Sequence, residues 1–151
     1  MTDASPAGYS GTPLPKKLGI TGDVVFTVID APSGFADTLG DTGEGVWQRS
    51  LMAPLDVVIA FFTQRQRLVA AWPKLTAAAE PNGGVWVCWP KRTSGVATDL
   101  TEDVLREELL PSGWVDNKVC AIDTTWSALR FVLRKERRPG RSRSRLRSGS
   151  R

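Results

Sequence analysis

Three short apolar runs, each bounded by turn-forming residues, dominate the pattern of hydrophobic positions in the chain. They are V-V-F-T-V-I at 24–29, L-D-V-V-I-A-F-F at 55–62 and V-W-V-C-W at 85–89. Runs of this length that are rich in β-branched and aromatic residues are typical of strands buried on both faces of a parallel sheet. A weaker run at 44–51 predicts a further strand at an edge.

Helical patterns separate these runs. Short helices are predicted at 34–39 and 100–110, and P-S-G at 111–113 ends the second. A longer helix is predicted between the second and third buried strands, because apolar positions recur there at intervals of three or four. Those positions are Leu68, Trp72, Leu75 and Ala79.

The C-terminal part of the pattern predicts a hairpin. Strands predicted at 115–122 and 129–134 are joined by the six residues D-T-T-W-S-A, too few for a parallel crossover. We expect Trp86 and Trp89 to face the same side of the sheet. Strand–helix–strand units followed by an antiparallel hairpin predict the α/β class, with a mostly parallel sheet covered by helices in three layers.

Charge divides the 151 residues into two unequal parts. The segment 134–151 holds nine Lys or Arg and one Glu, so it carries +8, whereas the other 133 residues carry −4. We therefore predict a single α/β domain at 13–135. A disordered lead at 1–12 is expected to precede it, and a disordered basic Arg/Ser tail at 136–151 to follow it.

Missing residue types exclude several kinds of chemistry. The chain has no histidine, which rules out Ser-His-Asp and Cys-His catalysis and histidine metal sites. Cys88 and Cys120 lie within apolar runs and are expected to be buried, reduced thiols. We assign no catalytic residue and no metal site.

The hydropathy pattern also bears on location. No run approaches the roughly 18 continuous apolar residues that a membrane-spanning helix needs. The N-terminus lacks the basic and then apolar pattern of a signal peptide. We expect a cytoplasmic protein without membrane contact.

The second half of the chain resembles class I methyltransferases. The run L-T-A-A-A-E-P-N-G-G-V-W-V-C-W at 75–89, followed by a helix and a terminal hairpin, looks like the second half of that fold. In that family a P-G-G turn precedes the fifth strand and an antiparallel hairpin closes the sheet. The likeness covers roughly 55–134 and implies a Rossmann-like, methyltransferase-like sheet that is reduced by one or two strands.

Other strings resemble a bacterial family called domain of unknown function 3052. These strings are P-K-K-L-G-I, W-P-K, S-G-V-A-T-D-L-T-E-D-V-L-R, V-D-N-K-V-C-A-I-D and W-S-A-L-R-F, and they run from Pro15 to Phe131. Ala128 departs from the pattern, where the family has Gly in W-S-G-L. The resemblance covers nearly the whole predicted domain and implies no activity.

The methyltransferase resemblance raises the question of S-adenosylmethionine (SAM). A SAM site of that family needs a Gly-rich turn after the first strand and an acidic residue after the second, which binds the ribose hydroxyls. Here the turn is D-A-P-S-G-F at 30–35, with one glycine, and the second strand offers W-Q-R at 47–49 without an acid. Because both elements are missing, we predict no cofactor.

Ligands of open parallel sheets bind outside the carboxyl ends of the strands. Lys91 follows a strand and precedes a flexible loop, so it is either an anion contact or a solvated loop cation. Asp99 is either an acid–base group or a helix cap, with Glu102 completing a capping pair. The ligand-binding candidates are Asp30, Ser33, Gly34, Lys91, Ser94 and Asp99.

Two further sets of charged residues lie towards the C-terminus. Asp123 and Arg130 are expected to form an ion pair that fixes the hairpin turn. The basic tail is either a replaceable solvated extension or a nonspecific contact for nucleic-acid phosphates. The nucleic-acid candidates are Arg137, Arg138, Arg141, Arg143, Arg145 and Arg147.

These observations favour a non-enzymatic binding or regulatory module over an enzyme. Its partner is expected to be an unknown protein or a small anionic ligand, held at the strand ends. The alternative is an enzyme acting on a small anionic substrate, with Lys91 as the anion contact and Asp99 or Asp30 as acid or base. A second alternative is nonspecific nucleic-acid association through the tail.

Overall fold

The computed structural model of the protein describes residues 11–138, with the exception of the side chain of Glu80. The predicted lead and the predicted basic tail lie mostly outside this range. The helices are α1 (Leu14–Lys17), α2 (Phe35–Leu39), α3 (Arg65–Ala78) and α4 (Glu102–Leu109). The strands are β1 (Val25–Ile29), β2 (Val46–Gln48), β3 (Leu55–Phe61), β4 (Ala79–Pro90), β5 (Trp114–Ala121) and β6 (Trp126–Leu133).

A six-stranded sheet in the order β2-β1-β3-β4-β6-β5 forms the middle layer. β2, β1, β3 and β4 are parallel to one another, whereas β6 runs antiparallel to both β4 and β5. The predicted α/β class and the terminal antiparallel hairpin are confirmed. The weak run at 44–51 indeed forms an edge strand, which is only three residues long.

Apolar side chains fill both faces of the sheet. On one face the strands pack against α3 and α4, through residues such as Leu68 and Leu105. On the other face they pack against the segment containing α1 and α2, through Leu18 and Phe35. The predicted three layers follow from these two apolar contact regions.

Trp86 and Trp89 lie on opposite faces of the sheet, so the prediction that they share a face is wrong. Trp86 packs on the side of α1 and α2 together with Cys88, and Trp89 packs on the side of α3 and α4. Side chains alternate along a strand with a period of two, and the tryptophans are three positions apart. Cys88, two positions from Trp86, shares its face.

β4 is longer than predicted. The turn-forming residues at 80–84 were expected to separate α3 from a strand at 85–89, but β4 begins directly after α3, at Ala79. Leu55 pairs with Ala79, whereas Val57 pairs with Gly84, so an irregularity in the register absorbs the extra residues. The P-N-G-G sequence interrupts the pairing of β3 and β4 and does not end the strand.

The N-terminus of α4 is capped by a residue that the sequence analysis did not choose. The Thr101 hydroxyl accepts a hydrogen bond from the Val104 backbone N–H at 3.1 Å. Glu102 forms an ion pair with Arg106 at 2.7 Å. The predicted capping pair of Asp99 and Glu102 is therefore wrong, and Asp99 has a different partner that is described below.

The hairpin turn between β5 and β6 is fixed by one carboxylate. Asp123 Oδ1 accepts hydrogen bonds from the backbone N–H groups of Thr125 and Trp126, both at 2.8 Å. Arg130 takes no part, because it pairs along the strand with Trp86 and Lys118, away from the turn. The expected ion pair between Asp123 and Arg130 is not formed.

Within residues 11–138, no helix has the length and apolar character required to cross a membrane. The longest of them, α3, has 14 residues.

Candidate functional site

A cleft of about 630 Å³ lies at the carboxyl ends of β1 and β3. β1 has β2 on one side and β3 on the other, so the order of the strands reverses at this point. Open α/β sheets bind ligands at such a switch point, in the crevice outside the strand ends. We call this feature the strand-end cleft.

Four elements supply the walls of the strand-end cleft: the end of β1, the end of β3, the exposed side of α3 and the start of β6. The lining residues are Asp30, Phe61, Phe62, Thr63, Gln64, Arg67, Ala70, Ala71, Lys74 and Trp126. They combine aromatic rings, two cations and one carboxylate. The lining therefore offers both polar and apolar contacts within one cleft.

The aromatic wall is held in place by edge-to-face contacts. The ring centroids of Phe61 and Trp126 are 5.1 Å apart with an interplanar angle of 82°. Phe35 packs on Phe61 in the same manner, at 5.0 Å. Trp126 is half-buried, and its backbone N–H is fixed by Asp123, so part of a rigid indole faces the cleft.

The side of α3 that faces the cleft has small residues between two cations. Arg67, Ala70, Ala71 and Lys74 follow helical spacing and so lie along one side of the helix. The alanines leave space beside the sheet. Arg67 and Lys74 are seven positions apart, or about 10 Å along the helix axis. They therefore lie at different ends of the strand-end cleft.

Asp30 stands out in its backbone conformation. Its φ of 56° lies in the left-handed region, which among the described residues no other non-glycine residue adopts. Such a conformation is disfavoured for a residue with a side chain and is found preferentially at ligand sites. It turns the chain sharply at the end of β1 and leaves the Asp30 carboxylate exposed at the mouth of the cleft.

The N-terminus of α3 is anchored by residues from the following helical region. Asp99 Oδ1 accepts a hydrogen bond from the Arg65 backbone N–H at 2.7 Å. The Arg65 guanidinium forms ion pairs with Glu108 and, at 3.1 Å, with Glu107. Its hydrogen bond with Glu108 is the main reason that the pKa of Arg65 lies above its ordinary value. Asp99 thus caps α3, as the sequence suggested for a different helix.

Of the six predicted ligand residues, the structure places Asp30 in the lining of the strand-end cleft. Ser33 and Gly34 lie exposed in the turn before α2. The Lys91 backbone N–H donates to the Thr125 carbonyl at 2.8 Å, and the Ser94 hydroxyl donates to the Lys91 carbonyl at 2.7 Å. These residues and Asp99 lie outside the lining, and their part in ligand binding stays a prediction.

Most of the predicted nucleic-acid residues cannot be placed. Arg141, Arg143, Arg145 and Arg147 lie outside the described residues. Arg138 Nε donates to the Leu133 carbonyl at 2.7 Å, so this side chain folds back on the end of β6. Arg137 belongs to a short 3-10 turn after β6.

The sequence analysis missed the residues that give the strand-end cleft its character. Arg67 and Lys74 were not singled out from the sequence, and Trp126 was considered only as part of the hairpin link D-T-T-W-S-A. A signal was present on α3, where two alanines lie between cations at helical spacing directly after a strong strand. Trp126 carried no such signal, because its place depends on how β6 pairs with β4.

Neither cysteine has the environment of a nucleophile. Both are free thiols, and within residues 11–138 no cluster of three or more potential metal ligands is found. Burial raises the pKa of Cys88 well above its ordinary value, with smaller contributions from Cys120 and Asp123. Burial also raises the pKa of Cys120 to about 11, and the Lys17 ammonium opposes this effect only in part.

We expect slow alkylation of the native protein by iodoacetamide at pH 8. With a pKa of about 11, roughly one Cys120 side chain in a thousand is a thiolate at that pH. Labelling of Cys120 should accelerate about tenfold per pH unit up to pH 11, as intact-mass spectrometry would show. Urea-unfolded protein is the control and should label rapidly at pH 8. Equal rates for native and unfolded chains would contradict the assignment.

Comparison with solved structures identifies the fold. A SAM-dependent methyltransferase from Aquifex aeolicus matches with a TM-score of 0.56 and 12% identity, covering 77% of this chain and 85% of that one. Magnesium protoporphyrin IX methyltransferase from Synechocystis, with bound SAM, gives 0.51 and 12%, covering 80% and 74%. DhpI in complex with S-adenosylhomocysteine (SAH) gives 0.51 and 15%, covering 82% and 83%. The chain has a methyltransferase-like fold.

Comparison at the sequence level adds nothing to this fold. No family model and no curated protein matches the chain. The resemblance to domain of unknown function 3052 is therefore not confirmed. The resemblance to class I methyltransferases is confirmed for the fold alone, because sequence identities of 12–15% carry no information beyond the fold.

The expectation that the protein has no cofactor is corrected by these matches. It was based on a missing Gly-rich turn and a missing acid. The solved structures that share this methyltransferase-like fold include one with bound SAM and one in complex with SAH. The absence of the Gly-rich turn and of the acid after β2 is therefore not enough to exclude a cofactor.

The turn after β1 leaves room for a SAM molecule, whereas the end of β2 lacks a partner for the ribose hydroxyls of SAM. The turn after β1 is open, because a Cβ added at Gly34 would meet no atom within 4 Å, so a ligand can approach the backbone. The end of β2 does not suit ribose hydroxyls. The Gln48 carbonyl there already accepts from the Thr27 hydroxyl at 2.7 Å, and the Arg49 guanidinium lies 4.0 Å from the Trp47 ring centroid.

Proposed function

We propose that the protein is a small-ligand-binding module, with the strand-end cleft as its site. The observation that carries this proposal is the convergence of Arg67, Lys74, Asp30 and two aromatic rings in one cleft at the switch point of the sheet. Four separate elements supply these groups. A methyltransferase-like fold supports the location, because open α/β sheets bind ligands where the connections from two neighbouring parallel strands lead to opposite sides.

The charges in the cleft define the class of ligand. Arg67 and Lys74 suit a carboxylate or phosphate, and the Asp30 carboxylate suits an ammonium group. Phe61 and Trp126 provide an edge for a planar or aliphatic portion. A ligand with an amino-acid head and an apolar or aromatic remainder satisfies all of these groups together. This class includes SAM and SAH, along with simpler amino acids.

The alternative functions have less support. An enzyme with Lys91 as the anion contact and Asp99 or Asp30 as acid or base has less support, because neither Lys91 nor Asp99 lines the strand-end cleft with Asp30, and Asp99 already caps α3. Nucleic-acid association depends on tail residues that mostly lie outside the described range. Ligand binding at the strand-end cleft is therefore favoured over either alternative, because the residues that it requires lie together in the structure.

A thermal-shift screen of the full chain tests the proposal. SAM, SAH, free amino acids and nucleotides are the compounds to compare. At a concentration 100 times the Kd, a ligand of the native state adds about 2.7 kcal/mol to stability. For a chain of this size the expected rise in Tm is roughly 5–10 °C. Isothermal titration calorimetry then gives the Kd of any compound that shifts the Tm.

Charge reversal locates the binding site. The double variant Arg67→Glu/Lys74→Glu is expected to weaken binding of an anionic ligand at least about 100-fold, because each lost charged hydrogen bond contributes roughly 1.5–3 kcal/mol. Lys16→Glu/Arg92→Glu is the matched control, since it makes the same change in net charge at two exposed cations outside the lining. Equal weakening by Lys16→Glu/Arg92→Glu would show that only net charge matters and would contradict the proposed site.

Fluorescence provides a second, independent readout. A ligand in the strand-end cleft is expected to change the emission of Trp126, which is one of six tryptophans in the chain. In Trp126→Phe this ligand-dependent change should disappear while binding persists, because phenylalanine keeps an aromatic edge. A change of the same size in Trp126→Phe would place the ligand elsewhere.

A further inference from the structure

A second cleft lies at the opposite ends of the same strands. It has a volume of about 180 Å³ and is lined by Lys17, Lys118 and Arg130, together with Asp56 and the glycine-containing irregularity of β4. A shallower hollow of about 410 Å³ adjoins it and shares Lys17, Trp86 and Lys118 with it. We call the cleft of about 180 Å³ the basic cleft, and the cavity beside it the adjoining hollow. Three cations from α1, β5 and β6 converge in the basic cleft.

Two of these cations face each other across the sheet. Lys118 on β5 and Arg130 on β6 are register partners in the antiparallel pair. Like charges placed directly opposite in this way destabilise a sheet. Arg130 also pairs with the buried Trp86 on its other side, so its side chain leans over the core near the edge of the sheet. The fold thus places two like charges in register on neighbouring strands.

Among the side chains that the structure describes, which do not include that of Glu80, no carboxylate forms an ion pair with a cation of the basic cleft. The ion pairs formed by these side chains all involve Arg65 or Arg106, neither of which lines the basic cleft. Asp56 is the acidic residue in the lining, and its Oδ2 accepts a hydrogen bond from the Val25 backbone N–H at 2.9 Å. It forms no ion pair with a cation of the cleft. Among the described residues of the lining, three cations therefore outnumber one acid.

The Arg130 guanidinium is positioned by the backbone beneath it. A Cβ on Gly84 would lie 2.5 Å from Arg130 Nε and 2.8 Å from its central carbon, so the guanidinium lies directly over this glycine. The side chain is half-buried. Burial lowers the pKa of Arg130, and the nearby charge of Arg138 lowers it further. An arginine that is fixed, partly desolvated and unpaired has donors available to an external acceptor.

We propose that the basic cleft binds the phosphate group of a small ligand. A planar guanidinium offers paired N–H donors to two phosphate oxygens, and the ammonium groups of Lys17 and Lys118 add charge from two other directions. The adjoining hollow beside Trp86 accepts the rest of the ligand. This site is separate from the strand-end cleft, because the two linings share no residue.

Inorganic pyrophosphate is the probe for the first test, with the full chain in thermal-shift and calorimetric measurements. Pyrophosphate is expected to raise the Tm by several degrees above the value in sodium chloride of equal ionic strength. Lys118→Glu is the decisive variant. Without added anion its Tm should rise by about 1–4 °C, because an opposite-charge pair with Arg130 replaces a like-charge pair. The same variant should lose the response to pyrophosphate.

Lys16→Glu is the matched control. Lys16 is an exposed residue on the same helix as Lys17 but does not line the basic cleft. It makes the same change in net charge and should keep the response to pyrophosphate. Lys17→Ala serves as a second variant of the cleft and should weaken pyrophosphate binding about tenfold. An unchanged response in Lys118→Glu and Lys17→Ala, or no effect of pyrophosphate beyond chloride, would overturn the proposal.

A nucleoside diphosphate distinguishes two sources of the phosphate group. Tighter binding than pyrophosphate indicates that the adjoining hollow recognises the organic part of a ligand. Equal binding indicates that the phosphates alone are recognised. In both cases the affinity should depend on Lys118, and an affinity that is indifferent to Lys118→Glu would contradict the site.

Discussion

Replacement of Trp86 by alanine is expected to lower the free energy of unfolding by about 3–5 kcal/mol. Trp86 is 1% exposed and fills the core between the sheet and the segment containing α1 and α2. Its indole N–H donates to the Leu18 carbonyl at 2.9 Å. The substitution would leave a large cavity and an unpaired buried carbonyl. Urea denaturation followed by circular dichroism measures the change, with the denaturant slope checked for constancy.

Two companion variants separate the contributions of Trp86. Trp86→Phe retains most of the ring but removes the donor, so a loss of about 1–2 kcal/mol is expected. Val119→Ala, at an edge-strand position that is 62% exposed, should change stability by less than about 0.5 kcal/mol. A loss below 1 kcal/mol in Trp86→Ala would show that this side chain is not the centre of its core.

The second large effect is expected for Gly83→Ala. An added Cβ at Gly83 would lie 2.6 Å from the Asp56 carbonyl oxygen and 3.1 Å from that of Leu55. Both contacts are with the backbone of β3, which cannot move away without disturbing its pairing with β4. We expect a loss of about 1–3 kcal/mol in the free energy of unfolding, measured in the same urea experiment.

Gly84→Ala is the matched comparison for Gly83→Ala. An added Cβ there would meet the Arg130 guanidinium, which is the end of a flexible side chain and can be displaced. The loss of stability should therefore be smaller than for Gly83→Ala. The displaced guanidinium should also weaken pyrophosphate binding in the basic cleft. A larger loss for Gly84→Ala than for Gly83→Ala would contradict this account of the two glycines.

Much of the sheet could be predicted from the sequence because its strands are buried on both faces. The runs at 24–29, 55–62 and 85–89 contain almost no polar residue, and parallel strands covered by helices produce that pattern. The hairpin was also predictable, since six residues cannot make a parallel crossover. These features depend on local composition and on chain length, which the sequence displays directly.

Features that depend on pairing between distant residues were not predictable in the same way. The P-N-G-G segment contains turn-forming residues, yet β4 continues through it because Ala79 finds a partner in Leu55. Asp99 has the spacing of a cap for α4, but the N-terminus of α3 lies within its reach and takes the hydrogen bond. In each example a tertiary contact prevailed over a local preference.

The candidate site likewise combines a residue that could be predicted from the local sequence with residues that could not. Asp30 was predicted because a general rule places ligands at the carboxyl ends of parallel strands, and Asp30 follows the first strand. Arg67, Lys74 and Trp126 come from α3 and β6, and only the assembled sheet brings them beside Asp30. The basic cleft was equally hidden, since the opposition of Lys118 and Arg130 depends on the register of the hairpin.

The position of β6 has a consequence for synthesis on the ribosome. β6 lies between β4 and β5 in the sheet although it is the last of the six strands in sequence. The edge of β4 that pairs with β6 therefore stays unpaired while residues 91–133 are synthesised. At ordinary elongation rates this takes roughly 2–9 s. During that interval an apolar strand edge is open to pairing with other chains. Nascent chains that stall before Leu133 would be natural targets for chaperones and proteases.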